Sequence, residues 1–95
     1  MNHYLIAFHS FERNSKRDKL QDVLSTDYDL WASEYDEGLF FISSVLSSEE
    51  ISEQLEEDVQ RGVTETLFVF QLSGTWAGSG TINTCEALRE RLIDS

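Results

Sequence analysis

The chain contains no proline and a single cysteine, Cys85. One thiol cannot close an intramolecular disulfide, and such sparing use of cysteine fits a reducing compartment. No proline-rich linker, internal repeat or low-complexity stretch interrupts the sequence. Basic residues are scarce as well: seven lysines and arginines stand against eighteen aspartates and glutamates, a net charge of −11. No apolar run approaches the length of a membrane span. The apolar opening Tyr4–Phe8 is far too short for a secretion signal and has no basic start before it, so the expected location is the cytoplasm and no membrane is involved.

What remains is an ordinary globular composition, 40% hydrophobic with eleven aromatic residues. That is too apolar for a disordered chain, and 95 residues give one domain, residues 1–95, with a single modest core. The charge is unevenly spread. Arg13, Lys16, Arg17 and Lys19 hold four of the seven bases, whereas eleven acids and no lysine or arginine lie between Thr26 and Gln60. A surface of this sign repels phosphate backbones, which disfavours nucleic-acid binding by that face, and attracts cations or basic protein surfaces.

Hydrophobic periodicity sets the expected elements. Tyr4-Leu5-Ile6-Ala7-Phe8 reads as a continuous apolar strand central in a sheet. Ser15 with Asp18 resembles a helix start, and Leu20, Val23 and Leu24 form the stripe of a helix ending near Ser25. Tyr28–Tyr35 reads as a second strand, with Trp31 facing opposite to Leu30 and Ala32. Asp36-Glu37-Gly38 supplies a turn in which glycine takes a positive φ, and Leu39–Ile42 completes a hairpin. Ser47 and Glu50 form a capping box for a second helix carrying Ile51, Leu55 and Val59, with Gly62 as its stop. Leu67–Leu72 is a fourth strand. A glycine-bearing loop, Ser73–Gly80, then leads to a last helix with Ile82, Cys85, Leu88 and Leu92 on one side.

The order β-α-β-β-α-β followed by a helix predicts an α+β fold, a ferredoxin-like βαββαβ sandwich with an additional C-terminal helix. The first and third strands take the centre of an antiparallel sheet, and the first two helices cover one face. Both faces of the sheet read as apolar. The uncovered one therefore calls for a second layer, and a second copy of the chain is the simplest source.

The chain resembles the small Cas-two-like proteins, the CRISPR-associated adaptation proteins and their SinR-type relatives. The resemblance rests on Tyr4-Leu5-Ile6-Ala7-Phe8, on Trp31, on Leu46-Ser47-Ser48-Glu49-Glu50-Ile51, and most on Leu67-Phe68-Val69 followed by Leu72-Ser73-Gly74-Thr75-Trp76-Ala77-Gly78. It implies a ferredoxin-like fold and a homodimer built by sheet-edge contacts. In nuclease members it implies a magnesium-dependent phosphodiesterase with an aspartate ending the first strand. Here that strand ends Phe8-His9-Ser10, with His9 in the aspartate's place and Glu12 the nearest acid.

Magnesium wants hard oxygen donors, so His9 with Glu12 is a weak candidate catalytic pair. His3 and His9 lie about 20 Å apart along an extended strand and cannot share a metal within one chain. Cys85 at helical spacing with Leu88 and Leu92 reads as a small core residue. The loop 73–80 lacks the lysine and spacing of a phosphate loop, leaving Trp76 as a packing residue against the sheet or a partner. Glu49, Glu50, Glu53, Glu56, Glu57 and Asp58 crowd one short helix, as a solvated face or as a surface that docks a basic protein. Arg13, Lys16, Arg17 and Lys19 read as ion-pair partners for that helix. The expected function is thus a non-enzymatic homodimeric interaction protein without cofactor. The alternatives are a magnesium-dependent endonuclease of the same family acting on RNA or DNA, and an inhibitor that mimics DNA phosphates with its acids.

Overall fold

The computed structural model of the chain describes residues 1–10, 15–62 and 65–72. Its elements run β1 (Asn2–His9), α1 (Ser15–Asp27), β2 (Asp29–Glu34), β3 (Leu39–Ser44), α2 (Ser48–Val59) and β4 (Thr66–Leu72), with a 3-10 turn over Tyr35–Glu37. The four strands form one sheet in the order β2-β3-β1-β4, and every neighbouring pair is antiparallel. This α+β arrangement of one sheet and two helices is compatible with a small ferredoxin-like fold. The additional C-terminal helix expected from Ile82, Cys85, Leu88 and Leu92 lies outside the described residues.

The core forms between the helices and one face of the sheet. Tyr4, Ile6 and Phe8 of β1 alternate toward it, beside Phe40 and Ile42 of β3. Leu20 and Leu24 of α1 and Ile51, Leu55 and Val59 of α2 close it from the other side. Strand alternation and helical i, i+4 spacing thus meet in one apolar layer, as the sequence pattern requires. Tyr4, with no exposed surface, keeps its hydroxyl satisfied by donating to the Leu46 carbonyl at 2.5 Å.

Local chemistry explains most boundaries. Ser47 accepts from the Glu50 amide at 3.1 Å, and Glu50 Oε1 accepts from the Ser47 amide at 3.2 Å. This capping box satisfies two amides that helix geometry leaves without partners. Ser47→Ala removes half of it and is expected to lower stability by about 1 kcal/mol, read from urea unfolding. The helix stops earlier than Gly62. Gln60 takes the left-handed conformation at φ 55° and its amide bonds the Glu56 carbonyl, so a non-glycine residue ends α2. Helix α1 in turn runs two residues past Ser25, whose hydroxyl donates back to the Gln21 and Asp22 carbonyls from within the helix.

Strand β2 departs from strict alternation. Its register against β3 shifts between Leu30 and Ala32, so Leu30 pairs with Ile42 but Ala32 pairs with Phe41. Leu30 packs on the core, whereas the Trp31 ring lies 5.5 Å from Phe41 on the opposite face. The bulge therefore turns Ala32 to the same face as Phe41, against the alternation expected of it.

Candidate functional site

Two surfaces carry the residues singled out by the sequence: the sheet face away from the helices, and the outer side of α2. On the sheet face the cross-strand rows are His3 with Ser43 and Leu72, Leu5 with Phe41 and Phe70, and Ala7 with Leu39 and Phe68. At its β2 side aromatic rings cover one another. Trp31 packs on Phe41, which is only 7% exposed, and His3 meets Trp31 edge-on at 6.0 Å. His3 Nδ1 and Ser43 Oγ are 2.7 Å apart, a bond between residues forty positions apart in sequence. At the β4 side, among the described residues, the cover ends. Phe68 and Phe70 are stacked at 5.7 Å and stand 54% and 50% exposed. Aromatic rings left half in water at neighbouring positions mark an apolar patch with a partner to gain.

The six acids of α2 do not act as one cluster. Glu50 is committed to the capping box. Glu56 is paired with Arg61, Oε1 to Nε at 2.6 Å, with about a third of each side chain or more in solvent. An ion pair so exposed contributes about 0–1 kcal/mol. Glu49, Glu53, Glu57 and Asp58 are exposed. The bases of α1 are spent mainly on backbone. Lys16 reaches α2, but its ammonium donates to the Val59 carbonyl at 3.2 Å, where the helix end favours positive charge. Arg17 donates to the Asp36 carbonyl at 3.3 Å and lies over the Tyr35 ring. Arg13 lies outside the described residues.

Between α1 and α2 sits Tyr28, whose hydroxyl donates to Gln54 Oε1 at 2.7 Å. Partial burial pushes its phenol above the ordinary value of 10.0, and the negative charges of Asp58 and Asp27 push in the same direction. A phenol with a raised folded pKa holds its proton more tightly folded than unfolded. Its contribution to stability is complete below the unfolded value and is lost as pH rises through the folded one. Urea midpoints should therefore fall from about pH 10 upward, and Tyr28→Phe should flatten that fall.

His9 ends β1, exposed, opposite Thr66 of β4. Glu12, Trp76 and Cys85 lie outside the described residues. Among the described residues no group of three or more histidine, cysteine, aspartate or glutamate side chains converges as a metal site. No helix among them is long and apolar enough to cross a membrane. Sequence reasoning missed the His3–Ser43 contact, for which no local signal exists. The edge position of β4, and so of its two phenylalanines, follows from the expected placing of the first and third strands in the centre, and the observed order β2-β3-β1-β4 has it.

The fold and these surfaces define a small α+β domain with a four-stranded antiparallel sheet, helices on one face and an aromatic patch on the other. No protein-family model, no curated protein and no solved structure matches the chain.

Proposed function

We propose that this chain is a non-enzymatic interaction protein of Cas-two-like type, cytoplasmic and homodimeric, whose acidic helix docks a basic protein partner. The observation that carries the reading is the pair Phe68 and Phe70, half-exposed and stacked on an otherwise acidic molecule. Burying them against a second copy removes apolar surface from water at about 25 cal/mol per Å². The acids of α2 lie on the far side of the domain from this patch. They stay free to attract a basic surface while the copies meet elsewhere. A C-terminal helix bearing Ile82, Cys85, Leu88 and Leu92 completes the proposed architecture.

Sedimentation at micromolar concentration tests the reading. The expected species has twice the 10.9 kDa mass of one chain, and Phe68→Asp with Phe70→Asp should return it to a single chain with its circular dichroism intact. A native protein that sediments as one chain refutes the homodimer. Incubation with single- and double-stranded RNA and DNA in magnesium or manganese is expected to leave the substrates whole. Cleavage lost on His9→Ala or Glu12→Ala would establish the nuclease instead. Capture of a DNA-binding protein that is abolished by Glu53→Lys, Glu56→Lys and Glu57→Lys would establish the DNA mimic.

A further inference from the structure

An open cleft is built by the short links at one end of the sheet. It holds about 530 Å³, within the roughly 300–1,000 Å³ of ligand sites. Only Tyr28 separates the end of α1 at Asp27 from the start of β2 at Asp29, and its amide closes the last helical turn on the Leu24 carbonyl at 3.2 Å. This tight join places one carboxylate before the phenol and one after it. Val45 and Leu46 lie in the link from β3 to α2, and Gln54 sits two turns into that helix. All six residues line the cleft. The Tyr28 hydroxyl donates to Gln54 Oε1 at 2.7 Å, which holds the ring between α1 and α2. The cleft stands apart from β4: the row Leu72, His3, Ser43, Asp29 crosses all four strands, so Asp29 is three strand spacings, about 14 Å, from Leu72.

Charge selects the occupant. Among the described residues no lysine, arginine or histidine lines the cleft, so nothing there balances an anion. The negative end of a helix dipole favours a base, yet the last turn of α1 has none and finishes on an acid. Asp27 is exposed and has no hydrogen bond or ion pair among the described residues. Asp58, one turn beyond Gln54, adds to the same field: after partial burial, Asp58 and Asp27 are what push the Tyr28 phenol upward. The donor set does not suit a divalent ion, because among the described residues no group of three or more histidine, cysteine, aspartate or glutamate side chains converges. What fits is a cation on an apolar stem. Val45, 78% exposed, and Leu46 give an apolar flank, Tyr28 an aromatic ring and Asp27 a carboxylate. A guanidinium is planar and weakly hydrated, so it stacks on a ring and forks onto a carboxylate, whereas an ammonium is compact and strongly hydrated.

Resting on the reading of a basic protein partner, we infer that the cleft receives an arginine side chain of that partner, its guanidinium on the Tyr28 ring and forked to Asp27, its stem against Val45 and Leu46. The exposed acids Glu53, Glu57 and Asp58 adjoin Gln54 on α2. The helix therefore draws a basic surface in, and the cleft sets which cation is held. Attraction by the helix alone counts charges and does not tell arginine from lysine.

Two unstructured fluorescent peptides of equal charge test this, one with three arginines and one with three lysines, each spaced by glycine and serine. Binding to the full chain at low salt is read from anisotropy. The arginine peptide is expected to bind about fivefold tighter. Asp27→Asn and Tyr28→Leu should each abolish that preference, and Tyr28→Phe, which keeps the ring, should retain it. Glu53→Lys with Glu57→Lys should weaken both peptides alike. Asp27→Asn should also raise the urea midpoint of the free chain, because it removes an acid from the negative end of α1, so its loss of preference is not a loss of fold. Equal affinities for the two peptides, a preference that survives Asp27→Asn or Tyr28→Leu, or a lowered urea midpoint in Asp27→Asn overturns the arginine site and leaves the basic partner standing. A native chain that binds neither peptide overturns both.

Discussion

Gly38→Ala is expected to destabilise the protein by about 3 kcal/mol or more, a large share of the roughly 5–14 kcal/mol expected for a chain of this length. Gly38 follows the 3-10 turn at φ 70° and ψ 31°, and its own carbonyl receives the Phe8 amide. A Cβ there would lie 1.9 Å from the Phe8 carbonyl oxygen and 3.1 Å from the carbonyl carbon. Phe8 belongs to the central strand β1, paired on both sides, so that oxygen has nowhere to move. The left-handed conformation adds about 1–2 kcal/mol for any residue with a Cβ. Two comparisons separate these causes in urea unfolding. Asparagine tolerates the left-handed region, so if conformation alone mattered Gly38→Asn would be mild; the close approach predicts that it is nearly as damaging as alanine. Gly62→Ala should cost under about 1 kcal/mol. There the new Cβ meets only the carboxylate end of Glu65, at 3.2 Å.

Phe40→Ala should cost a comparable amount, about 3–5 kcal/mol. Phe40 has no exposed surface, sits on the second central strand opposite Ile6, and packs edge-on to Tyr35 at 6.4 Å. Truncation loses the transfer energy of the ring and leaves a void between sheet and helices that close-packed neighbours fill only in part. Phe70→Ala is the informative contrast. At 50% exposure its ring is far less enclosed, so in the isolated chain the cost should stay under about 1 kcal/mol. If the two substitutions proved equally costly at concentrations where the chain is monomeric, the division between core face and patch face would be wrong. The same pair also separates stability from association, since Phe70→Ala should weaken dimer formation and Phe40→Ala should act through folding.

The candidate surfaces were partly legible. The acidity of α2 can be counted from residues alone, yet only the fold shows Glu56 tied to Arg61 and Glu50 spent on the cap. The basic residues of α1 were expected to pair with those acids. Lys16 instead meets a carbonyl at the end of α2, because packing brings α1 to the terminus of that helix, where the backbone itself is the acceptor.

The sequence by itself determined whatever depends on neighbours within a turn or a strand. Ser47 and Glu50 announce a helix start because capping joins residues three apart. Ile51, Leu55 and Val59 announce its buried side because a helix turns every 3.6 residues, and Gly38 announces a turn because its conformation excludes a Cβ. Tertiary structure decided what depends on distant partners. The bulge that turns Ala32 beside Phe41 and the contact of His3 with Ser43 both follow from how strands pair across the sheet. Pairing order and register are properties of the assembled sheet: a shift of one residue exchanges the faces while every local preference stays the same.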